Sequence, residues 1–487
     1  MSKLHSNARA HSLADTKRIV SKAFHGMPFD DIFEEFIETP LGVGAMAQVY
    51  KAKLSPQIIA NQQENRLNVD ILNGKHRHVP KFIQENLEKL QPKDITPPSD
   101  WVVIKVLHPK VEQKVERDLK IMRFFANVID IIPTMEWLSL PAEVDQFALM
   151  MRFQLNLRLE AENLLIFRQN FADRKDILFP KPYINFSTSK VLVEEYISGI
   201  PMTKLMQRSN GSGNIEKEIS NKGLDAFLKM LLVDNFIHAD LHPGNIYVKF
   251  YKKGKLNLLA TQDTVTSQEV EQATQRLMSL VDDGDKFRQE LDTLYEEGYR
   301  PQVCFIDAGL VTELNQVNRR NFIDLFKAIA AFDGYRVGEL MVERSRTPES
   351  TVDSEIFYLK VQRLVRHIKE RTFALGSVKL GDLLGQMLGM VREHHVRMEG
   401  DFVTVVLSIL LLEGIGRQLD PDIDLFKSAI PILRQISPAK NQDLKVLSDD
   451  SLSMIKVWLA LEVRQFINAS VQDIHNLVRY DRLCHNE

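Results

Sequence analysis

The sequence predicts an α+β chain in which a small strand-bearing part precedes a larger, almost wholly helical one. Three observations carry that prediction. Short β-branched runs at 47–52, 101–106 and 190–197 have strand length, and Gly or Pro turns accompany them. From Asn315 onward, apolar residues recur at three- and four-residue spacing in 322–331, 356–368, 383–391, 402–412 and 455–474. Between these regions an apolar helical run, 227–236, leads into the polar stretch Ile-His-Ala-Asp-Leu-His-Pro-Gly-Asn at 237–245.

Composition excludes several classes of function. With 487 residues and 44% hydrophobic content the chain can bury one large or two ordinary cores, and its net charge of -3 gives no global reason to expect nucleic acid. The two cysteines, Cys304 and Cys484, support neither a disulfide framework nor a thiolate zinc site, and a reducing compartment fits. No apolar run reaches the roughly 18 residues of a spanning helix. Residues 1–26 carry Lys3, Arg9, Lys17, Arg18 and Lys22 against Asp15, a composition shared by import presequences and by an ordinary first amphipathic helix at 13–24.

The elements follow in order. After that helix, the acidic and apolar stretch 29–37 leads to a glycine loop and strand, Gly42-Val43-Gly44-Ala45-Met46-Ala47-Gln48-Val49-Tyr50. Gly42 and Gly44 let backbone approach a phosphate closely, Val49 falls where a strand would roof a nucleobase, and Ala47 stands where a third glycine would complete the pattern. Residues 55–98 read as a polar surface insertion with one helix at 80–90. Lys105 then sits inside the run Trp101-Val102-Val103-Ile104-Lys105-Val106, where its ammonium needs an anionic partner or an edge facing water. Helices at 109–131 and 146–171 offer Glu112 and Glu116, or Glu160 and Glu162, as that partner, and spacing alone favours the nearer pair. The strand from Lys190 to Glu195 ends in Tyr196-Ile197-Ser198-Gly199, placed as a hinge whose backbone near Glu195, Tyr196 and Ile197 would bond a base. A second insertion, 251–300, has an acidic helical portion at 267–298. His394 and His395 are expected at the surface.

Two acids and an amide carry the chemistry. Asp240, four spacer residues and Asn245 match a phosphotransfer loop in which the acid accepts a substrate proton and the amide helps hold a metal ion. His238 would pin the loop, and Pro243 and Gly244 would turn Asn245 back. Past the second insertion, an apolar strand delivers Asp307 into Asp307-Ala308-Gly309, where it is placed as the second ligand of a magnesium ion, which favours hard oxygens. The alternative is a set of unrelated turns and caps, but the order of glycine loop, strand lysine, helix glutamate, hinge, Asp-to-Asn loop and Asp-Ala-Gly argues for one site.

Over residues 10–440 the chain resembles the UbiB, or aarF-domain-containing, atypical kinases, with the nearest likeness to the second animal paralogue. The resemblance rests on Ala47-Gln48-Val49-Tyr50-Lys51-Ala52, Ile104-Lys105-Val106 with His108-Pro109, Glu160 with Asn163, the stretch 236–245, Asp307-Ala308-Gly309, and Leu412-Glu413-Gly414-Ile415 before Leu419-Asp420-Pro421. It implies a protein-kinase-like two-lobe fold: a helical segment at 1–37, a small β-containing lobe at 38–197, a large helical lobe at 198–440 and a helical segment at 441–487. It also implies ATP and Mg2+ as cofactors, mitochondrial residence, and a role in coenzyme Q and lipid metabolism, with quinone precursors, lipids and a membrane surface as expected partners. Asp240, Lys105 and Glu160 become the catalytic residues, with Glu116 as the fallback partner of Lys105. Gly42, Gly44, Ala45, Ala47, Val49, Lys105, Glu195, Tyr196 and Ile197 become the nucleotide contacts, and Asn245 and Asp307 the metal ligands. Two departures stand out. The family's Lys-x-Gly-Gln extension would precede Met1, and its acidic Glu-x-Asp pair falls here on the amides Gln154 and Asn156. A nucleotide-gated pseudokinase scaffold and a metabolite kinase of the aminoglycoside or choline kinase type are the rival readings.

Overall fold

Valine and isoleucine at alternate positions of 102–106 and 191–193 build an antiparallel sheet with one sealed face. In the computed structural model, which describes residues 10–58, 101–131, 140–209, 211, 213–252, 267–330, 333–373, 380–397, 400–421 and 423, these strands lie in the first of two units. That unit comprises Met1–Gly199 and Cys304–Leu310; the second comprises Ile200–Val303 and Val311–Glu487.

The first unit begins with α1 (Leu13–Ala23) and α2 (Phe29–Ile32). Its sheet runs β1 (Phe33–Phe36), β3 (Ala47–Leu54), β4 (Trp101–Leu107) and β6 (Val191–Glu195), with β2 (Gly42–Val43) paired to β3; the two-residue strand β5 (Ile177–Leu178) comes before β6. Val102, Ile104, Val106, Val191 and Val193 are buried against Val20, Ala23 and Phe24 of the N-terminal helical region. Each fully buried aliphatic side chain of this kind contributes about 1.5–3 kcal/mol. The stretch 13–24 is thus core material of this unit. Because side chains alternate along a strand, the same pleat sends Val49, Lys105 and Leu192, abreast in register, to the opposite face.

Helices α3 (Val111–Asp130), α4 (Leu140–Gln154) and α5 (Leu157–Asn170) lie between β4 and β5. The single helix expected over 146–171 is two. Asn156 leaves the helical region at φ -118° and ψ 91°, and its side chain accepts the Arg158 N–H at 3.2 Å, starting α5 afresh.

The second unit carries β7 (Ile200–Pro201), α6 (Met202–Arg208), α7 (Asn214–Leu228), β8 (Ile237–His238), β9 (Ile246–Lys252), α8 (Ser267–Ser279) and α9 (Gly284–Glu296). Strand β10 (Tyr299–Phe305) begins in this unit and ends in the first, and β11 (Val311–Thr312) returns to pair with β8. The apolar run at 227–236 is not one α-helix: α7 stops at Leu228, a π-helical turn spans Lys229–Asp234, and Asn235 turns left-handed at φ 51°. Among the described residues five α-helices follow, α10 (Gln316–Ala330), α11 (Gly334–Glu343), α12 (Ser354–Phe373), α13 (Leu380–Glu393) and α14 (Gly400–Leu419).

Helix α11 was not among the expected elements. Its Gly334 and Gly338 allow a close crossing with α12, since a Cβ at either would lie 2.6 Å from Gln362 Cα or 2.9 Å from Tyr358 Cα. His394 is also a correction, because it is buried and His395 half-buried. The His394 Nδ1 lies 2.8 Å from the Val352 carbonyl oxygen, Nε2 lies 2.9 Å from Lys360 Nζ, and the ring leans on Phe357. These partners replace the water a surface histidine would have.

The expected helices at 80–90 and 455–474, the remainder of 59–98, residues 253–266, and the segment 441–487 lie outside the described residues. Among those described, no helix is long and apolar enough to cross a membrane.

Candidate active site

Lys105 lies in the middle of the first unit's sheet, so its ammonium cannot reach water along an edge. Its Nζ donates to both oxygens of Glu160 at 2.9 Å and to Asp307 Oδ2 at 3.0 Å. Glu160 comes from the first turn of α5 and is buried; Asp307 follows the end of β10. Asn163, one turn beyond Glu160, donates its Nδ2 to the Ala308 carbonyl at 2.8 Å, and the Gly309 N–H donates to Asp307 Oδ1 at 2.9 Å. These bonds tie α5 to the Asp-Ala-Gly turn and orient the aspartate.

One ammonium thus serves both carboxylates. Burial opposes the charge on Lys105, yet Asp307 and Glu160 together hold its pKa well above the ordinary lysine value. Burial and the Asp307 carboxylate push Glu160 up to about 7 against the pull of Lys105. Spacing alone favours Glu112 and Glu116, but Glu116 is turned outward to Arg152, with Nε to Oε1 at 2.7 Å, and Glu112 faces Lys190 at 3.8 Å.

The glycine loop belongs to the same unit. Gly42 and Gly44 have ordinary φ, and an added Cβ would meet nothing within 4 Å at Gly42 and only the Ala47 oxygen at 3.5 Å at Gly44. The protein itself therefore does not require glycine there. Ala45 is exposed, while Ala47 is the buried first residue of β3 and its carbonyl accepts the Gly44 N–H at 2.9 Å. At the hinge the expectation needs narrowing. The Glu195 N–H donates to the Lys181 oxygen at 2.8 Å and the Tyr196 N–H to the Trp101 oxygen at 3.1 Å, because the sheet continues through both. Neither amide is a donor for a base.

In the second unit the Asp-to-Asn loop is closed by its own bonds. The Asp240 N–H donates to Nδ1 of the fully buried His238 at 3.2 Å, which makes that nitrogen the unprotonated one. Asn245 Nδ2 donates to the Asp240 carbonyl at 3.2 Å and to its Oδ2 at 3.3 Å. His242 caps the 3-10 turn Pro243–Asn245, its Nδ1 accepting the Gly244 N–H at 3.0 Å. Upstream, the side chain of Asn235 accepts the Leu314 N–H and donates to the Leu314 oxygen, joining the entry of the loop to the segment that follows β11.

Sequence reasoning missed Glu194. This carboxyl is buried at 5% exposure beside the hinge, and its Oε2 has no hydrogen-bond partner. Strand alternation could have flagged it, since Glu194 shares the face of Leu192, the register partner of Lys105.

The chain falls in the kinase-like class of α+β folds. Residues 3–58 and 95–284 match the ABC1 atypical kinase-like domain, and residues 361–424 match the UbiB helical domain. The chain is 47% identical to the mitochondrial ABC1 family protein YPL109C of Saccharomyces cerevisiae, covering 100% of this chain and 70% of that one. It is 41% identical to the mitochondrial ABC1 family protein C21C3.03 of Schizosaccharomyces pombe, covering 100% and 67%. A probable serine/threonine-protein kinase of Dictyostelium discoideum, abkC, is 30% identical over 89% of this chain and 59% of its own length. The chain belongs to the ABC1, or UbiB, family of atypical kinase-like proteins. The narrower likeness to the second animal paralogue is not borne out; the two relatives matched over the full chain are yeast proteins.

Proposed function

We propose that this chain is an ATP- and magnesium-dependent phosphotransferase or ATPase that serves coenzyme Q and lipid metabolism in mitochondria. The observation that carries the reading is Lys105, shared between Glu160 at 2.9 Å and Asp307 at 3.0 Å on the face of the sheet it shares with Val49 and Leu192. Lys105 meets the nucleotide phosphates, and Glu160 holds the ammonium in place. Gly42, Gly44, Ala45 and Ala47 bring backbone toward the same phosphates, where a side chain at either glycine would meet ligand rather than protein. Val49 packs on the base, and the base takes its hydrogen bonds from the carbonyls near Glu195 and Tyr196 and from the Ile197 N–H.

The donor chemistry fits magnesium. Asp307 brings carboxylate oxygens, the hard donors that magnesium prefers, and in the second unit Asn245 commits its Nδ2 to Asp240, leaving the amide oxygen for a cation. Bound magnesium supplies the charge that neutralises the transferring phosphoryl group. Asp240 orients the attacking hydroxyl or water and takes its proton, so the protein's contribution is mainly positional and electrostatic. The mitochondrial setting draws support from the two yeast relatives, and the quinone and lipid setting from the family resemblance.

The test is MgATP binding and phosphate release by the purified chain beside Lys105→Ala, Asp240→Asn and Asp307→Ala. Asp240→Asn is expected to bind nucleotide and to lose at least about a hundredfold in turnover, the usual scale for a positioned acid–base group. Turnover unchanged in that variant removes Asp240 from the chemistry. Binding without turnover in every form favours the nucleotide-gated scaffold.

A further inference from the structure

A line of polar side chains runs from β3 through α1 to the glycine loop. Gln48 Nε2 lies 2.6 Å from Tyr50 Oη, which lies 3.2 Å from Thr16 Oγ1. Thr16 Oγ1 lies 2.9 Å from His11 Nε2, and His11 Nδ1 lies 2.7 Å from His108 Nδ1. His108 Nε2 ends the line 3.0 Å from the Gly44 carbonyl oxygen. Gln48 is itself held, its Oε1 accepting the His11 N–H at 2.8 Å and its Nε2 donating to the His11 oxygen at 3.3 Å. Gln48, Thr16 and Tyr50 are buried.

Both ends of the line give it the same direction. A carbonyl oxygen only accepts, so His108 carries its proton on Nε2. In a neutral ring His108 Nδ1 then accepts, and His11 must donate from Nδ1. That leaves His11 Nε2 to accept from the Thr16 hydroxyl. At the buried end, Gln48 donates to Tyr50, whose own hydroxyl proton then has Thr16 as its acceptor. With both imidazoles neutral, every hydrogen bond is satisfied only when each ring is in its one stated tautomer. Burial and the neighbouring His108 hold His11 down at about 4 against the pull of Asp15, which agrees with a neutral ring.

The line grips the loop at two points. His108 donates its ring proton to the Gly44 oxygen and its backbone N–H to the Met46 oxygen at 2.8 Å, while the Gly44 N–H closes on the Ala47 oxygen. We propose that His11 and His108 are positioning residues whose tautomer-locked hydrogen bond holds residues 42–47 in the shape that receives the phosphates of a nucleoside triphosphate. This rests on the reading of those residues as the phosphate-facing loop. Neither ring touches the reacting atoms; His11 acts through His108, and His108 through the Gly44 carbonyl.

Two measurements on the full chain test it. Long-range 1H–15N correlation on 15N-histidine-labelled protein at pH 7.5, assigned with His11→Asn and His108→Gln, is expected to show His108 as the Nε2–H tautomer and His11 as the Nδ1–H tautomer. Either ring in the other tautomer or charged overturns the proposal without reference to nucleotide. The second is affinity for a fluorescent MgATP analogue, with thermal melting to confirm folding. His108→Gln keeps an N–H donor for the Gly44 oxygen and is expected to bind within about twofold of wild type, while His108→Leu loses about five- to tenfold, the scale of one hydrogen bond. Equal losses in both variants, or none in His108→Leu, overturn the positioning role. Wild-type protein with both expected tautomers but no nucleotide binding overturns the phosphate-loop reading, and the positioning role with it.

Discussion

Glu194 and the two loop glycines show what single residues hold in reserve. Burial, and then the nearby Glu160, push the Glu194 carboxyl well above its usual range, so the folded chain keeps a proton there that the unfolded chain releases above pH 4.5. Where the folded state binds more protons, stability falls as pH rises. The wild type should therefore lose stability relative to Glu194→Gln as the pH rises above 4.5. Urea unfolding at several pH values reads this directly, and a pH-independent difference would mean that the carboxylate is ionised and paired. Gly44→Val makes the opposite kind of prediction. With only the Ala47 oxygen at 3.5 Å from a new Cβ, folding should change little, while MgATP affinity falls about tenfold or more if phosphates approach that backbone. A titration with a melting control separates the two effects.

Among the elements, α5 depends on where it starts. Asn156 lets Glu160 and Asn163 fall on the buried face of α5, where they meet Lys105 and the Ala308 carbonyl. Asn156→Ala should cost about 1 kcal/mol through the lost cap, and Asn156→Asp should retain stability because its carboxylate caps equally well. Chemical denaturation distinguishes them, and equal losses in both would show that the amide has another task. This also gives one of the family's neutralised acidic positions a structural job. The crossing of α11 and α12 is the second element-level test. Gly338→Leu places side chain where Tyr358 Cα lies 2.9 Å away, so the helices must part, and a loss of several kcal/mol is expected. Helix α11 escaped sequence reading because its two glycines lower helix propensity, although they are what allows the crossing.

For the whole molecule, nucleotide binding and folding are linked. A ligand that binds only the folded chain stabilises it by about 2.7 kcal/mol at 100 times its Kd. MgATP should therefore raise the thermal midpoint of the wild type, and Lys105→Ala should lose the shift. The variant's own baseline should fall as well, because it leaves Glu160 buried without its ammonium. An equal MgATP-dependent rise in the variant would take Lys105 out of the nucleotide site.

The sequence by itself determined the α+β class, the order of the motifs and the internal geometry of the Asp-to-Asn loop. Those depend on short-range rules: strand and helix periods, turn residues, and bonds between neighbours such as Asp240 to His238 and Asn245 to Asp240. Spacing left the glutamate partner of Lys105 open and the family resemblance pointed to Glu160, which the tertiary structure pairs with it. The tertiary structure alone decided that Asp307 shares Lys105, that the amides of Glu195 and Tyr196 are already used, and that His11 reaches His108. Lys105 is separated from Glu160 by 55 residues and from Asp307 by 202, and His11 from His108 by 97. Pairings at such separation carry no local period. They are chosen when burial removes water and each charge or hydrogen-bonding group must find its partner among whatever the folded chain has brought beside it.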